Sequence, residues 1–413
     1  MQILITNIEH YPDRPSGSAR IAHEQAEYLA AAGHQVTVVA PYVDENAPEC
    51  EALGNLRLLR YRPLRFHAAD PRRAWAHQLP LKAVLRRHIR GPVDLVHGHA
   101  PLSYLAAWDL YKARARAAYT VHSPARMEMA ISWPPDRLSN RVKRAFGLSL
   151  VNRMERKCLE RSDVVTSLSD FTRRELARLH GPGIAARVTV VPGWVDLERF
   201  RVAENRAALK QELGWPSDSP VLFTLRRLVP RMGLDRLVRA VRIVRDRGLA
   251  LRLVIGGAGP LRSQLLELIA ALGLDDSVEL IGHVPGPALP KMYAACDAFV
   301  LPTAALECFG LIAIEALACG RPVLATPVGA IPEVLSNFEP AWLARSNDEP
   351  AIADLLAAFL ESRLPAKAPS DLRNRAQELY SQSARLAELA ALVLPAQPGA
   401  TGPPLPAFQQ AGI

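Results

Sequence analysis

Cysteine is scarce in this chain of 413 residues. Its five cysteines are odd in number, lie far apart, and form no Cys-x-x-Cys pair. We therefore expect neither a disulfide framework nor a zinc ribbon, and a reducing compartment fits this pattern best. The five are Cys50, Cys158, Cys296, Cys308 and Cys319.

Long hydrophobic runs are lacking too. No stretch approaches the roughly 18 apolar residues of a membrane-spanning helix, because even the most hydrophobic region, 298–319, carries Glu307 and Glu315. The opening residues, MQILITNIEHYP, contain neither the basic nor the apolar segment of a secretory signal. We therefore expect a cytoplasmic protein without transmembrane helices, which leaves peripheral association with the inner face of a membrane open.

The composition is that of an ordinary globular chain. Apolar residues make up 49% and charged residues 22%, and the length suggests two or three domains. The 50 Lys and Arg residues exceed the 41 Asp and Glu residues, which gives a net charge of +9. This charge favours anionic or phosphorylated partners without choosing among them, and nothing else in the sequence supports nucleic-acid binding.

Strands alternate with helical segments along the chain. The first set includes a strand at 2–6, a helix at 19–32 and a strand at 36–41. It continues with strands at 56–61, 93–99, 116–123 and 163–169. The cycle restarts after 188–200, with strands at 221–228, 251–257, 278–284, 297–303 and 321–326. Such alternation predicts parallel sheets covered by helices on both faces.

The predicted fold class is therefore α/β, with two doubly wound, Rossmann-like domains. We expect domains at 1–195 and 196–370, and a C-terminal helix at 371–393 that could return to the first domain. The Pro- and Gly-rich stretch at 394–413 has the composition of a disordered tail. Ligands bind beyond the carboxyl ends of parallel strands, so the expected active site is a cleft between the domains.

The densest group of candidate functional residues lies in 301–335. Glu307 and Glu315 flank the sequence CFGLIAI. A helix that begins near Phe309 and Gly310 would point the free N–H groups of those residues and of Leu311 at an anion such as phosphate. The alternative is an N-terminal carboxylate that favours the helix dipole, together with a surface glutamate.

This segment resembles glycosyltransferase family 4, the retaining glycosyltransferases of the GT-B fold. The family's pattern of two glutamates separated by seven residues, followed by a small-residue helix and a PVVAT-VGGIPE element, is matched by 307–333. The resemblance extends from about residue 2 to about residue 340. It implies two domains that face each other across a cleft.

The resemblance also implies an activity. A sugar would pass from a UDP- or GDP-linked donor to a hydroxyl of a saccharide, glycolipid or similar acceptor, with retention at the anomeric carbon. No cofactor is expected. The chain contains no Asp-x-Asp, and a site that holds diphosphate with arginines and helix dipoles needs no metal.

By the same resemblance, Glu307 contacts donor-sugar hydroxyls next to the reacting carbon, and Glu315 binds the ribose. The main-chain amides of Phe309, Gly310 and Leu311 would hold the sugar and the phosphates. Glu307 is expected to orient the sugar and not to form a covalent intermediate.

An arginine-rich loop follows the strand at 221–228. Arginine suits a diphosphate, and Arg227 matches the family's phosphate-binding arginine. The family's lysine falls on Met232, so Arg231, or Arg226 in the family's glycine position, could supply the missing charge. The alternative is a solvated basic loop.

Histidines lie at or near the ends of the strands predicted at 93–99 and 116–123. His122 matches the family's strand-end histidine that contacts the donor sugar, and we count it as catalytic with Glu307 and Arg227. His97 and His99 match an element that shapes the cleft, and because no third ligand cluster accompanies them, a metal site is not expected.

Two glycine-rich loops match the family as well. Gly17 takes the place of the second glycine in a loop near the donor phosphate and the acceptor, while Ser16 replaces the first. Gly257, in VIGGAGPLR, would line the nucleotide, and main-chain groups around His283 and Val284 would flank the base. An ordinary strand-to-helix turn would also want such glycines.

Residues 137–161 form a basic helical segment beside an apolar stretch at 127–135, which could contact an anionic membrane. The alternative is a solvated basic helix face. Two other functions stay open: a nucleotide-sugar epimerase or hydrolase on the same fold, and a non-catalytic nucleotide-sugar-binding scaffold. A nicotinamide oxidoreductase is rejected because the glycine motif at 254–262 lacks its third glycine.

Overall fold

The computed structural model describes residues 1–11, 13, 16–44, 46–64, 77–133 and 138–395, without the side chains of 138–140. The tail expected at 394–413 lies outside the described residues from 396 onward, as does residue 137 of the basic segment. The chain divides into two compact units. The first comprises 1–192 and the residues from 383 onward, and the second comprises 193–382, whereas the sequence placed a boundary at 195.

The first unit is built on an eight-stranded sheet. Its elements in chain order are β1 (Gln2–Thr6), α1 (Gly17–Ala31), β2 (Gln35–Pro41), β3 (Cys50–Leu53), β4 (Leu56–Tyr61), α2 (Gln78–His88), β5 (Leu95–Gly98), α3 (Pro101–Tyr111), β6 (Arg116–Val121), α4 (Ala125–Ser132), α5 (Leu138–Arg161), β7 (Val164–Ser167), α6 (Asp170–His180), α7 (Pro182–Ala185) and β8 (Val188–Val190). The strand order is β3-β4-β2-β1-β5-β6-β7-β8. The pairs are parallel except for β3, which runs antiparallel to β4.

Buried strands explain why this sheet folds as it does. The ILI of β1 is fully buried, and β2 buries five successive residues, as strands covered on both faces require. Helix α1 begins where the Ser16 hydroxyl accepts a hydrogen bond from the Ala19 N–H, 3.2 Å away. The chain turns after this helix at Gly33, whose φ of 87° lies in the left-handed region.

The second unit is built on a five-stranded parallel sheet with the order β11-β10-β9-β12-β13. Its elements are α8 (Arg206–Glu212), β9 (Val221–Leu225), α9 (Leu234–Asp246), β10 (Arg252–Gly256), α10 (Arg262–Ala271), β11 (Val278–Gly282), α11 (Leu289–Ala295), β12 (Ala298–Leu301), α12 (Leu311–Ala318), β13 (Val323–Ala325), α13 (Ile331–Leu335), α14 (Glu349–Leu360) and α15 (Pro369–Tyr380). A last helix, α16 (Gln382–Val393), follows.

The C-terminal segment expected as one helix at 371–393 is two helices. The break falls at Ser381, whose ψ of 125° is extended. It arises because Val195 pairs with this point of the chain. The Val195 N–H donates to the Tyr380 carbonyl at 2.9 Å, and the Val195 carbonyl accepts from the Gln382 N–H at 3.2 Å. Helix α16 then belongs to the first unit, where the Arg116 guanidinium donates to the Leu392 carbonyl at 3.0 Å.

Each sheet has one place where the strand order reverses direction along the chain. In the first unit this switch point lies between β1 and β5, and in the second between β9 and β12. Doubly wound sheets bind their ligands at such points, beyond the carboxyl ends of the strands. In the described part of the chain no helix is both long enough and apolar enough to span a membrane.

Candidate active site

A buried ion pair occupies the switch point of the second unit. Arg226 directly follows β9, and the loop after β12 carries Thr303 and Glu307. Nη2 of Arg226 donates to the Thr303 hydroxyl at 2.9 Å and to Oε2 of Glu307 at 2.8 Å. The Arg226 side chain is 6% exposed and that of Glu307 17%. The Nε of Arg226 is buried and has no hydrogen-bond partner within the described residues.

Backbone constraints hold Glu307 in this position. The preceding residue, Leu306, has a φ of 55°, a conformation that side-chain-bearing residues seldom adopt. The Glu307 carbonyl accepts from the Ala330 N–H at 2.7 Å. Gly329 packs against the same carbonyl so closely that a Cβ there would lie 2.0 Å from its oxygen. The loop after β13 therefore fixes the Glu307 backbone.

The turn after β9 places the remaining basic residues differently. Met232, at the position of the family's lysine, is buried at 6% exposure. The backbone carbonyl of Arg231 accepts hydrogen bonds from two amides of the loop after β12. The Nη1 of the Arg231 side chain donates to the Leu306 carbonyl at 2.9 Å. Arg231 thus fastens the loop that carries Glu307. Arg227 is exposed, and its guanidinium has no hydrogen-bond partner in the described structure.

Helix α12 begins at Leu311, directly after this loop. Gly310 precedes it with a φ of 89°. The N–H groups of Phe309, Gly310 and Leu311 have no acceptor among the residues described, so the helix start offers three free donors. The Phe309 side chain is turned away into the core, 4% exposed, with its ring edge-to-face on Tyr380. Phe309 would therefore bind a ligand through its backbone N–H and not through its side chain.

Glu315 lies in the second turn of α12. Its side chain is 1% exposed, and Oε2 accepts a hydrogen bond from the Tyr293 hydroxyl at 2.9 Å. This bond ties α12 to α11. The ribose contact that the resemblance implies for Glu315 stays a prediction.

The loop after β10 packs on the backbone of the arginine turn. Gly257 has a φ of 126°, and a Cβ there would lie 1.9 Å from the Arg226 carbonyl oxygen. Its N–H donates to the Gly282 carbonyl at 2.6 Å. Beyond β11, His283 is exposed and Val284 is 9% exposed. Only glycine at position 257 allows the loop after β10 to approach the Arg226 backbone so closely.

Gly17 and His122 belong to the first unit. Gly17 is the exposed first residue of α1, directly after the capping residue Ser16. Ser16 therefore replaces the family's first glycine with a helix cap. His122 follows β6, next to the switch point between β1 and β5.

His122 is the end of a chain of buried polar groups. His122 Nε2 lies 2.8 Å from His99 Nδ1, and His99 Nε2 lies 3.1 Å from Oε1 of Gln25. Nε2 of Gln25 lies 2.7 Å from His97 Nδ1, and His97 Nε2 lies 2.8 Å from the Thr120 hydroxyl. Thr120 contacts the hydroxyl of Thr166 on β7 at 2.7 Å. At the other end, His122 Nδ1 is buried without a partner among the described residues.

Burial keeps these three rings neutral. It lowers the pKa of His97 to about 3 and that of His122 to about 4, and it holds the pKa of His99 well below its ordinary value. This chain of hydrogen bonds passes through Gln25, which no motif in the sequence marks. The sequence could have indicated Gln25 by its spacing, because it is a polar residue on the buried face of α1, one turn from Ile21 and one turn from Leu29.

Among the described residues, no group of three His, Cys, Asp or Glu side chains is arranged to hold a metal ion.

Two family models match the chain. The model described as Glycosyltransferase Family 4 matches residues 15–199, and the model described as Glycosyl transferases group 1 matches residues 205–379. The chain is 34% identical to a D-inositol 3-phosphate glycosyltransferase of Nocardia farcinica over 287 residues, 67% of this chain and 61% of that protein.

It is also 34% identical to a GDP-mannose-dependent alpha-(1-6)-phosphatidylinositol monomannoside mannosyltransferase of Mycolicibacterium smegmatis, over 48% of this chain and 53% of that protein. The chain thus spans between half and two thirds of the length of these relatives. The solved sucrose-phosphate synthase of Thermosynechococcus elongatus has a TM-score of 0.79 to it at 22% identity, covering 95% of this chain and 98% of the synthase. The chain therefore belongs to glycosyltransferase family 4, whose GT-B fold its two doubly wound units share.

Proposed function

We propose that this chain transfers a sugar from a nucleotide-diphosphate sugar, UDP- or GDP-linked, to an acceptor hydroxyl, with retention at the anomeric carbon. The observation that carries the proposal is the second unit's switch point. Three free amides at the start of α12 lie in the same chain segment as Glu307, which is paired with the buried Arg226. Free helix amides and guanidinium groups are what a diphosphate needs, and a carboxylate beside them suits sugar hydroxyls.

The chemistry follows from where charge develops. Negative charge builds on the leaving diphosphate, and the α12 amides with the guanidiniums of Arg226 and Arg227 would stabilise it. Positive charge builds at the anomeric carbon, and Glu307 would orient the sugar and support that charge. These groups would counter part of the diphosphate's charge and hydrogen-bond its oxygens, and we propose a reaction that requires no metal.

The other site residues keep the roles that the resemblance implies, as proposals. They are Gly17 at the phosphate and acceptor, His122 at the donor sugar, Glu315 at the ribose, Gly257 along the nucleotide, and His283 and Val284 at the base. Arg231 serves this site indirectly, because its bond to the Leu306 carbonyl holds the Glu307 loop. We assign the family lysine's charge to Arg226, since its guanidinium donates to the Glu307 carboxylate, whereas that of Arg231 donates to the Leu306 carbonyl.

The names of the relatives narrow the choice of acceptor. They name D-inositol 3-phosphate and phosphatidylinositol monomannoside as acceptors. We propose an acceptor of the same chemistry, a hydroxyl on an inositol phosphate or on a glycolipid built on one. A saccharide acceptor is the other outcome that the experiment distinguishes.

The test is a screen of UDP- and GDP-sugars for release of nucleoside diphosphate in the presence of EDTA, with and without inositol phosphate or a saccharide. We expect one donor to give release that depends on an acceptor and is lost in Glu307→Gln. Glu267→Gln, an exposed glutamate of α10, is the matched control and should keep wild-type activity. Release without any acceptor would indicate a hydrolase, and silence with every donor would favour a binding scaffold.

We further propose that α5 contacts an anionic membrane surface on the inner face. Val142 is 76% exposed and Phe146 is 59% exposed, one helical turn apart, with Arg141 and Lys143 exposed beside them. Sedimentation with anionic vesicles should capture the wild-type chain but not a V142E/F146E variant. Zwitterionic vesicles should capture neither protein. Equal capture of the wild type and the variant by anionic vesicles would refute the contact.

A further inference from the structure

We propose that Gln25 is a positioning residue whose amide sets one tautomer along the three linked histidines, so that His122 presents the lone pair of Nδ1 to a hydroxyl of the bound sugar. The inference deepens the proposed function, because the ligand is the sugar of that reaction. It rests on the unbroken chain of hydrogen bonds from Gln25 to His122 and on the unpartnered atom at its end.

The direction of each bond follows from the Gln25 amide. Its nitrogen can only donate, so His97 Nδ1 accepts, and the proton of that ring lies on Nε2, which donates to Thr120. Its oxygen can only accept, so the proton of His99 also lies on Nε2. His99 Nδ1 must then accept from His122 Nε2–H. A neutral His122 ring carries no second proton, which leaves its Nδ1 as a bare acceptor.

The three rings are therefore in the same tautomer, with the proton on Nε2. The opposite orientation of the amide would reverse every bond and move all three protons to Nδ1. His122 would then offer a buried N–H, and a sugar hydroxyl would have to accept from it. In the orientation that the structure has, the sugar hydroxyl instead donates to the Nδ1 lone pair.

Stacking of the rings supports a fixed arrangement. His97 and His99 stack with centroids 4.6 Å apart, and His99 and His122 stack at 5.1 Å. Four members of this hydrogen-bond chain are at most 2% exposed, so water does not reach them to replace their hydrogen-bond partners. They are Gln25, His97, Thr120 and Thr166. Because each ring bonds to the next group, a change of tautomer in one ring reverses the bonds of its neighbours, which is why one amide can determine the state of the last ring.

The direct test is a long-range ¹H–¹⁵N spectrum of the full chain labelled with [¹⁵N]histidine, near pH 7 and without substrate. His122→Asn identifies the His122 signals by their loss. We expect the unprotonated nitrogen of His122, His99 and His97 to be Nδ1. A His122 ring protonated on Nδ1, or on both nitrogens, would overturn the proposal.

Two substitutions at Gln25 separate positioning from packing. Gln25→Glu keeps an acceptor for His99, so His99 and His122 should keep their tautomer. The His97 proton should move from Nε2 to Nδ1, where it donates to the new carboxylate, and the Thr120 hydroxyl should then donate to Nε2. Gln25→Met keeps the volume but removes both bonds, so the His122 signals should show both tautomers. We expect kcat/KM to fall about tenfold to a hundredfold in Gln25→Met, as for loss of one oriented hydrogen bond, and much less in Gln25→Glu.

Unchanged His122 signals in Gln25→Met would refute the role of Gln25. If either variant fails to fold, the wild-type spectrum still decides the tautomer. The spectrum needs no substrate, so it is independent of the donor screen. Failure of every donor would refute the proposed function, whereas an Nδ1-protonated His122 in an active enzyme would refute only this inference.

Discussion

Replacing Arg226 by glycine should lower kcat by about 10²–10³, and adding a lysine at position 232 should restore part of the rate. We expect this because we assign to Arg226 the positive charge that a lysine supplies in other members of the family. Arg226 is nearly buried and contacts the Glu307 carboxylate, whereas Met232 is buried and uncharged. The double variant Arg226→Gly/Met232→Lys recreates the family's own pattern.

The expected magnitudes can be worked from the ion pair. Arg226→Gly removes two hydrogen bonds and leaves the Glu307 carboxylate unpaired. Breaking a buried pair costs about 3–5 kcal/mol, and because Glu307 is 17% exposed and can turn to water, we expect about 3 kcal/mol. At roughly 2–4 °C per kcal/mol, the melting temperature should fall by about 6–12 °C. Loss of one donor to the transition-state charge should lower kcat by about 10²–10³.

The assay is nucleoside-diphosphate release with the donor found by the screen, beside a melting curve for each variant. We expect the double variant to exceed Arg226→Gly by at least about tenfold in kcat, one 1.4 kcal/mol step of transition-state stabilisation. Arg239→Ala, an exposed arginine of α9, is the control and should match the wild type. A folded Arg226→Gly with wild-type kcat would refute the assignment of the charge to Arg226.

Three further predictions use other parts of the structure. Burial holds the pKa of His122 near 4, below its ordinary 6.5, so the unfolded chain binds more protons in that window. His122 should therefore contribute up to about 1.4 kcal/mol per pH unit to the fall in the free energy of unfolding between pH 6.5 and about pH 4, in addition to the fall from His97 and His99, and His122→Asn should remove that contribution. An equal pH dependence of the free energy of unfolding in urea titrations of both proteins would contradict this. Tyr293→Phe removes one hydrogen bond to the buried Glu315 carboxylate and should cost about 1–2 kcal/mol, measured as a lower melting temperature. A wild-type melting temperature would contradict this. Gly257→Ala should abolish folding or activity, because its Cβ would lie 1.9 Å from a carbonyl oxygen, whereas Gly273→Ala meets open space at φ 62° and should cost only the strain of that conformation.

All strands of both sheets except β3 and β8 could be predicted, because buried parallel strands are continuous apolar runs. The predicted strands at 2–6 and 56–61 match β1 and β4 to the residue. The start of α12 was predicted within two residues, since Gly310 marks it. β3 was missed because Cys50–Leu53 is a half-exposed edge with no periodic pattern. The break between α15 and α16 carries no glycine or proline, and it depends on Val195, far away in sequence.

The site could be predicted only as far as local motifs reach. Glu307 and the α12 amides lie within one short segment, so one motif contains them. The bond between Arg226 and Glu307 joins residues 81 positions apart, and that between Gln25 and His97 joins residues 72 apart. Such pairs depend on which strands become neighbours. A single sequence leaves that order open, and Arg226 therefore stood as one of two candidates.

Buried atoms without a hydrogen-bond partner support a ligand site where they collect at the carboxyl ends of strands beside the switch points; others, such as Arg60 Nε and His180 Nδ1, lie elsewhere in the described residues. Burying a polar atom without a partner costs about 1–3 kcal/mol, so folded proteins have few of them. In the first unit, Thr6 Oγ1, Asn7 Nδ2 and His122 Nδ1 are such atoms, at the carboxyl ends of β1 and β6. In the second unit, Thr224 Oγ1 and Arg226 Nε lie at the carboxyl end of β9. Apolar side chains would be cheaper at these positions if each unit only had to fold. Hydrogen bonds to a polyhydroxylated, phosphorylated ligand would offset the cost, and polar atoms at these strand ends are what binding such a ligand requires.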